Sequence, residues 1–392
     1  MATASGYGVL IPSISGEPDV RLEAGPRKSE APRAPPLLAP LTPREIASGV
    51  ATGSTGARPD PEWSKAIDPV AALERSVEVA LRRPPCLVSF SGGHDSSLVL
   101  AAATRVAQRE RLDPPIPVTW RIRGAPRAEE SAWQDEVVGA LGLADWIRLT
   151  ADDDLDLVGP VAADVLSRHG LLYPANAHLH APLLAQAAGG ALLTGVGGDQ
   201  VLGRLPRPRR PWWYPNAGAT APFGWLRPAA RRRVRAALRR EARARPPDYA
   251  GRPDWAATRR DLALTRRSLA LLGGDTDTAV FHPLLDPAVM RALVGSGFSP
   301  ADAGRAGLLG RIFGGVYPDA VLRARPKAWF GEVFWRRPTR ERIGAWDGGG
   351  IDTSVVSPAE LRREWARPHP DLHTAMLVQR IWCADHPPAS RR

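Results

Sequence analysis

The tightest constraint on what this chain can fold into is the stretch Cys86-Leu87-Val88-Ser89-Phe90-Ser91-Gly92-Gly93-His94-Asp95-Ser96-Ser97. A short apolar run ends in Ser-Gly-Gly-x-Asp-Ser, and an alanine-rich helical pattern follows from Leu98 to Ala107. The order is strand, tight loop, helix. Gly92 and Gly93 permit a turn that a residue with a Cβ makes only at a cost. Such a turn aims free N–H groups outward at the start of a helix, where the dipole also favours an anion. Ser91, Ser96 and Ser97 add hydroxyl donors, so the anion that fits is a phosphate. Asp95 repels a phosphate unless a cation stands between them, which implies Mg2+. A plain Gly-Gly turn between a core strand and a helix explains the glycines alone; the full string points to phosphate.

No Gly-Lys-Ser/Thr follows, so this is not a Walker loop. The string resembles the PP-loop of the ATP pyrophosphatases, which cleave ATP between the α and β phosphates.

Composition sets the frame for that loop. The 392 residues suffice for two ordinary domains or one large one, and 44% hydrophobic content supports a substantial core. Two cysteines, Cys86 and Cys383, exclude a disulfide framework and a Cys-rich metal site, and they suit a reducing cytoplasm. No apolar run is long enough for a membrane span, and Met1 to Gly6 lacks the basic start and apolar core of a signal peptide. The net charge of +11 is almost all arginine, with lysine at Lys28, Lys65 and Lys327 alone. Abundant Ala, Gly, Pro and Arg is the usage of a GC-rich genome, which discounts the charge as a sign of nucleic acid.

Residues 1–62 are rich in Pro, Gly, Ala and Ser and read as a poorly ordered arm, with one or two short strands near Tyr7–Ile14. From 63 onward the expectation is an α/β domain. Residues 63–204 form a nucleotide-binding core with a parallel twisted sheet flanked by helices, and 205–388 form a mainly helical part. Strands are expected at the run before Ser91, at Val118–Ile122, at Trp146–Leu149 and at Ala191–Thr194, with helices at Asp68–Leu81, Glu129–Leu141, 155–170 and 177–188 between them. The pair His178 and His180 diverges on a strand or a helix, which favours a polar contact in the cleft over metal ligation. Residues 227–245 hold nine arginines and read as an amphipathic helix with a solvated face. Phe281–Asp286 reads as a turn, and Trp335, Trp346, Trp365 and Trp382 as core anchors.

The fourth strand ends in Leu193-Thr194-Gly195-Val196-Gly197-Gly198-Asp199-Gln200, a second glycine-rich loop with one acid. Loops at the carboxyl ends of parallel strands meet across one crevice. Two such loops, each carrying an Asp, can hold one Mg2+ between them. With both motifs in view, the chain resembles the synthetase domain of the asparagine synthetases over residues 63–388. That family has a Ser-Gly-Gly-Leu-Asp-Ser-like PP-loop and a later Ser-Gly-Glu-Gly-x-Asp-Glu loop. Glu130–Trp133 is similar to the acidic start of its second helix, Phe281–Asp286 to its Arg-x-Pro-x-x-Asp turn, and Leu308–Lys327 to its Leu-Leu-Arg … Leu-Pro … Arg-x-Lys segment.

The resemblance implies an adenine nucleotide alpha-hydrolase-like fold, with ATP and Mg2+ as cofactors. It implies that Phe90 and Ile122 hold the nucleoside and that Thr194 and Gly195 contact ATP. Ser91, Gly92, Gly93 and Ser96 would cradle pyrophosphate, Asp95 and Asp199 would bind Mg2+, and Lys327 would stabilise charge as a carboxylate attacks the α-phosphorus. The implied product of that step is an acyl-adenylate, which an amine or ammonia then converts to an amide.

Two departures bear on this expectation. Ala2 stands where the family's glutaminase domain carries its nucleophilic cysteine, so nitrogen is expected from ammonia, from a substrate amine or from a separate glutaminase. Val196 replaces the loop glutamate and Gln200 the final acid, so either the nucleophile differs or another residue, Glu130 or a cleft histidine, is the base. Two other functions compete: a non-catalytic relative serving as a scaffold, and a tRNA-modifying PP-loop enzyme using the basic segment 205–245.

Overall fold

The computed structural model describes residues 40–56, 68–203, 223–323 and 328–387, apart from the side chains of 300–303. Five parallel strands form one sheet: β1 (Cys86–Ser89), β2 (Ile116–Ile122), β3 (Ile147–Ala151), β4 (Ala191–Leu193) and β5 (Ala279–Phe281), in the order β3-β2-β1-β4-β5. Along β1 the side chains alternate between two cores. Cys86, Val88 and Phe90 face one, and Leu87 faces the other. On β4, Ala191 and Leu193 face the first core and Leu192 the second. The helices Pro69–Leu81, His94–Glu110 and Pro287–Gly295 cover the first face. Val165, Leu183, Leu184, Leu269 and Leu272 from three other helices cover the second. Burial on both faces is why these strands read as apolar runs.

Helix starts follow local chemistry. Asp68 Oδ2 accepts from Ala71 N at 2.8 Å with Pro69 in the first turn, and Asp286 Oδ1 accepts from Ala288 N at 2.8 Å with Pro287 in the first turn. The helix Pro228–Ala244 buries Ala230, Val234 and Leu238 and leaves most of its arginines on the outer face, as its amphipathic pattern predicts.

Three expectations need correction. The sheet has a fifth strand, so the α/β core extends past residue 204; of β5 only Phe281 falls in the stretch that reads in sequence as a turn. A three-residue strand is too short to show a period. Its register is fixed by pairing with β4, Leu192 against Val280. Second, residues 40–56 are not a loose arm. Thr42 and Glu45 form a capping box on the helix Pro43–Ser48, with Thr42 N donating to Glu45 Oε2 at 2.9 Å and Glu45 N to Thr42 Oγ1 at 3.2 Å. Arg260 Nε donates to Glu45 Oε1 at 2.9 Å, and Trp225 Nε1 donates to Ala47 O at 2.7 Å. The Thr-x-x-Glu signature is present in the sequence, but the proline-rich surroundings mask it. The rest of the expected arm, including Tyr7–Ile14, lies outside the described residues. Third, Trp335, Trp346 and Trp365 are buried in a separate core beside Trp225, whereas Trp382 is only partly buried and stacks on His386 with ring centroids 4.4 Å apart.

The two histidines singled out in sequence also separate. His178 is buried with both ring nitrogens against backbone carbonyls, Nδ1 at 3.1 Å from Ala175 O and Nε2 at 3.0 Å from Leu155 O, and it ties the helix layer to the loop before it. Both cysteines are buried, and burial pushes their thiols up, to about 12 at Cys86 and about 11 at Cys383.

Glu45 tests the corrected boundary. Burial pushes its carboxyl up, but Arg260 and the Thr42 amide outweigh that and hold it below the ordinary value. Glu45→Ala removes one cap and the carboxylate partner of a mostly buried guanidinium, and should lower unfolding free energy by about 2 kcal/mol in urea titration. A change near zero would return the segment to the status of a loose arm.

Candidate active site

Strands β1 and β4 are neighbours, yet β1 continues through β2 to β3 on one side and β4 leads to β5 on the other. The winding direction therefore reverses between β1 and β4, and open α/β sheets bind ligands in the crevice at such a switch point. The two glycine loops leave the carboxyl ends of these two strands.

The first loop is tied to itself: Ser91 N donates to Ser96 Oγ at 3.3 Å and Gly93 N donates to Ser91 Oγ at 3.3 Å. Gly92 has φ +90°, a value open to glycine and costly elsewhere. Ser91 and Ser96 lie Oγ to Oγ at 3.2 Å, Ser96 Oγ donates to Gly93 O at 3.1 Å, and Ser97 Oγ donates to Gly92 O at 3.3 Å. Gln134 Nε2 fixes the loop from outside by donating to Ser91 O at 2.8 Å, and its own carbonyl oxygen accepts from Arg121. Gly93 then caps the helix His94–Glu110. Seventeen residues of helix thus point their positive end at the loop.

The second loop is held by its neighbours. Thr194 N donates to Phe281 O at 3.0 Å, continuing the β4–β5 ladder. Val196 N donates to Thr194 Oγ1 at 3.3 Å. The loop's glycines answer to contacts. A Cβ on Gly195 would stand 2.9 Å from Ser96 N, and one on Gly198 would stand 2.0 Å from Asp95 Cγ. The loops therefore touch backbone to side chain, with Asp95 pressed against the turn at Gly198. Arg252, buried, donates from Nη1 to Gln200 O at 3.2 Å and also to Gly203 O, and so anchors the far end of the loop.

Between the loops stands a residue that the sequence does not mark. Arg305 Nη1 donates to Asp95 Oδ2 at 3.1 Å, and its Nη2 donates to Asp199 Oδ1 at 2.7 Å and Gly198 O at 3.3 Å. Nothing local sets it apart, because arginine is everywhere in this chain. The guanidinium is a stand-in cation and shows that Asp95 and Asp199 converge on one cation position. Among the described residues no group of three or more His, Cys, Asp or Glu side chains forms a metal cage. Two carboxylates plus phosphate oxygens and waters is the ligand set Mg2+ usually accepts, so the residues fit that ion.

Beside Thr194, on the β5 side, is a second cluster. His282 Nδ1 lies 2.7 Å from Thr194 Oγ1. Burial, then Arg266 and His180, push the His282 imidazole down to about 3. Burial chiefly pushes His180 down to about 4. Arg266, on the helix Arg260–Gly274, keeps one side open to solvent, yet protein crowds its guanidinium enough to lower its basicity. It makes no hydrogen bond or ion pair among the described residues. A guanidinium partly stripped of water, reachable and without an anion is a ready anion site. Glu130 stands beside Gly92, its Cβ 3.6 Å from where a Cβ on that glycine would be.

The structure brings together Ser91, Gly92, Gly93, Asp95, Ser96, Thr194, Gly195 and Asp199. Ile122 ends β2 next to them. Phe90 is different: its ring is buried in the first core, 6.4 Å from the Trp146 ring, so the side chain is interior and its carbonyl accepts from Thr119 Oγ1 at 2.8 Å. Lys327 lies outside the described residues. A cavity of about 260 Å3 opens at Asp199 and Gln200, and it shares Glu241, Trp255 and Arg259 with a larger one of about 720 Å3 lined by Ala237, Pro246 and Thr258.

Two outcomes follow from this geometry. Gly198→Ala forces Asp95 aside and should cost about 2 kcal/mol of stability as well as nucleotide binding; a stable variant that binds ATP normally would contradict the contact. His180 and His282 are neutral in the fold but gain protons on unfolding below about 6.5. Their contribution is complete above that value and is lost as pH falls toward about 4 and about 3. The urea midpoint should drop between about pH 7 and about pH 5, and the double variant His180→Gln, His282→Gln should flatten most of that drop.

Among curated proteins, none matches this chain. The family model described as asparagine synthase matches residues 70–294. That span runs from the first covering helix through both glycine loops and β5 to the helix Pro287–Gly295, more than half of the sequence. The chain belongs to the asparagine synthase family.

Proposed function

We propose that this protein is an ATP-dependent amide-forming ligase that activates a carboxylate as its acyl-adenylate. The observation that carries the reading is the convergence of Asp95 and Asp199 on one cation position beside the glycine turn that starts the helix His94–Glu110. The amides at Gly92 and Gly93 and the hydroxyls of Ser91 and Ser96 bind the β and γ phosphates. The end of β2 at Ile122 and the backbone at Phe90 border the nucleoside, with Thr194 and Gly195 on its other side. Asp95 and Asp199 would hold Mg2+, which supplies charge neutralisation for the departing pyrophosphate. Lys327, by its match to the family segment, adds a cation at the α-phosphate.

Arg266 pairs with the substrate carboxylate and steers one oxygen toward the α-phosphorus. The new P–O bond forms as the bond to pyrophosphate breaks, and the electron pair leaves with pyrophosphate. An amine or ammonia then attacks the acyl carbon and AMP departs. With Nδ1–H donating to Thr194, His282 presents Nε2 as proton acceptor for that step. Without substrate it is a weak base, because burial and Arg266 oppose its protonation. An anion on Arg266 removes part of that opposition, so basicity rises once substrate is bound. Val196 leaves this task to His282. The cavities beyond Asp199 have room for an acyl substrate well beyond a single free amino acid.

A second reading has its own support. Val196 in place of a carboxylate favours a relative that binds nucleotide without forming an amide, acting as a scaffold. The described part of the basic segment, with its buried Ala230, Val234 and Leu238, favours a solvated helix over an RNA contact.

ATP–pyrophosphate exchange with a panel of carboxylates tests the first reading. Exchange should require a carboxylate and a divalent cation. Arg266→Gln should raise the carboxylate KM by roughly 10- to 100-fold while calorimetric ATP affinity stays unchanged. Normal ATP binding with no exchange for any carboxylate would favour the scaffold. Lys327→Ala should lower the exchange rate by about 10²- to 10³-fold.

A further inference from the structure

The cation position between the loops is held by the protein itself. We propose that Arg305 gates it: the guanidinium closes the Asp95–Asp199 pair in the nucleotide-free enzyme, and a divalent cation enters only together with a nucleotide whose phosphates take the guanidinium over. This rests on the assignment of Asp95 and Asp199 as metal ligands made above.

Geometry is the first support. One side chain bridges carboxylates from two different loops and also holds the Gly198 carbonyl between them. Two carboxylates brought this close repel each other unless a cation stands between them. A guanidinium and a metal ion cannot share that place, because they repel too. Position is the second support. Arg305 directly follows Gly304, where the helix Pro300–Phe313 is broken by φ 69°. It therefore begins a new helical run, where the dipole disfavours a cation. Helix chemistry does not explain an arginine there; its two anionic partners do. Exposure is the third. The Asp199 side chain is 66% exposed, against 21% for Asp95 and 22% for Arg305. The outer half of the bridge is screened by water and weak, so it opens at small cost, while the inner half keeps the guanidinium at hand. ATP brings several negative charges to the N-terminus of the helix His94–Glu110, and the displaced guanidinium then has an anion to meet.

The consequence is coupling. Metal affinity without nucleotide is suppressed by the internal competitor, and nucleotide relieves the suppression. Free Mn2+ measured by electron paramagnetic resonance reads this directly on the full chain, with no turnover required. Arg305→Gln should bind Mn2+ about tenfold more tightly than the parent without ATP. Added ATP should tighten Mn2+ binding to the parent far more than to the variant. Arg305→Lys, which keeps the charge but cannot bridge two carboxylates in a fork, should fall between them, and it carries the test if the Gln variant melts early. Equal or weaker Mn2+ binding by the variants overturns the gate and leaves the ligase reading standing. If neither parent nor variants bind Mn2+ even with ATP, the metal assignment falls and the gate with it.

Discussion

The site depends on one close contact, the Asp95 carboxylate against the turn at Gly198. Helix His94–Glu110 delivers Asp95 from one strand, and β4 delivers Gly198 from the next. There is no room for a Cβ at Gly198. The distance between the strands, set by the parallel ladder, therefore fixes the distance between the loops. Everything the crevice does electrostatically follows from that: two carboxylates face one point, and a cation must occupy it.

Charge in this protein is managed by arginine at several depths. At the surface, Arg82 with Glu78 and Arg363 with Glu360 are exposed pairs of small consequence. Deeper, Arg252 binds backbone carbonyls and burial lowers it to about 10, so it serves as a strut for the second loop. Arg305 bridges the two loop carboxylates, and Arg266 stands beside His282 with no anion among the described residues. These last two fit a reaction that gathers phosphate and carboxylate groups in one crevice. The lowered imidazoles at His180 and His282 belong to the same field: burial favours the neutral ring at both, and at His282 the Arg266 guanidinium and His180 add to it.

Much of this is legible in the amino-acid order alone. The strand–loop–helix order around Ser91, the second glycine loop and the alternation of strands with helices are local patterns, and the sheet and its covering layers follow them. The site is half legible. Asp95 and Asp199 stand out because an acid in a phosphate loop needs a reason. Arg266 and Arg305 do not stand out, since their importance lies in what surrounds them. The capping box at Thr42 and Glu45 is written in the sequence but hidden by its proline-rich context, and β5 is too short to carry a period.

By itself, the sequence determined the α/β class, the two glycine-rich loops and the family resemblance, because these rest on residue type and spacing along one segment. Only the tertiary structure decided the strand order, the switch point between β1 and β4, and the meeting of Asp95, Asp199 and Arg305 from three distant segments. It also set His178 with both ring nitrogens against backbone carbonyls and brought the His282 ring to Thr194. The physical reason is range. Propensity and turn chemistry act within a few residues, whereas packing and charge act between residues that the fold brings together, and the sequence order of those residues says nothing of their distance.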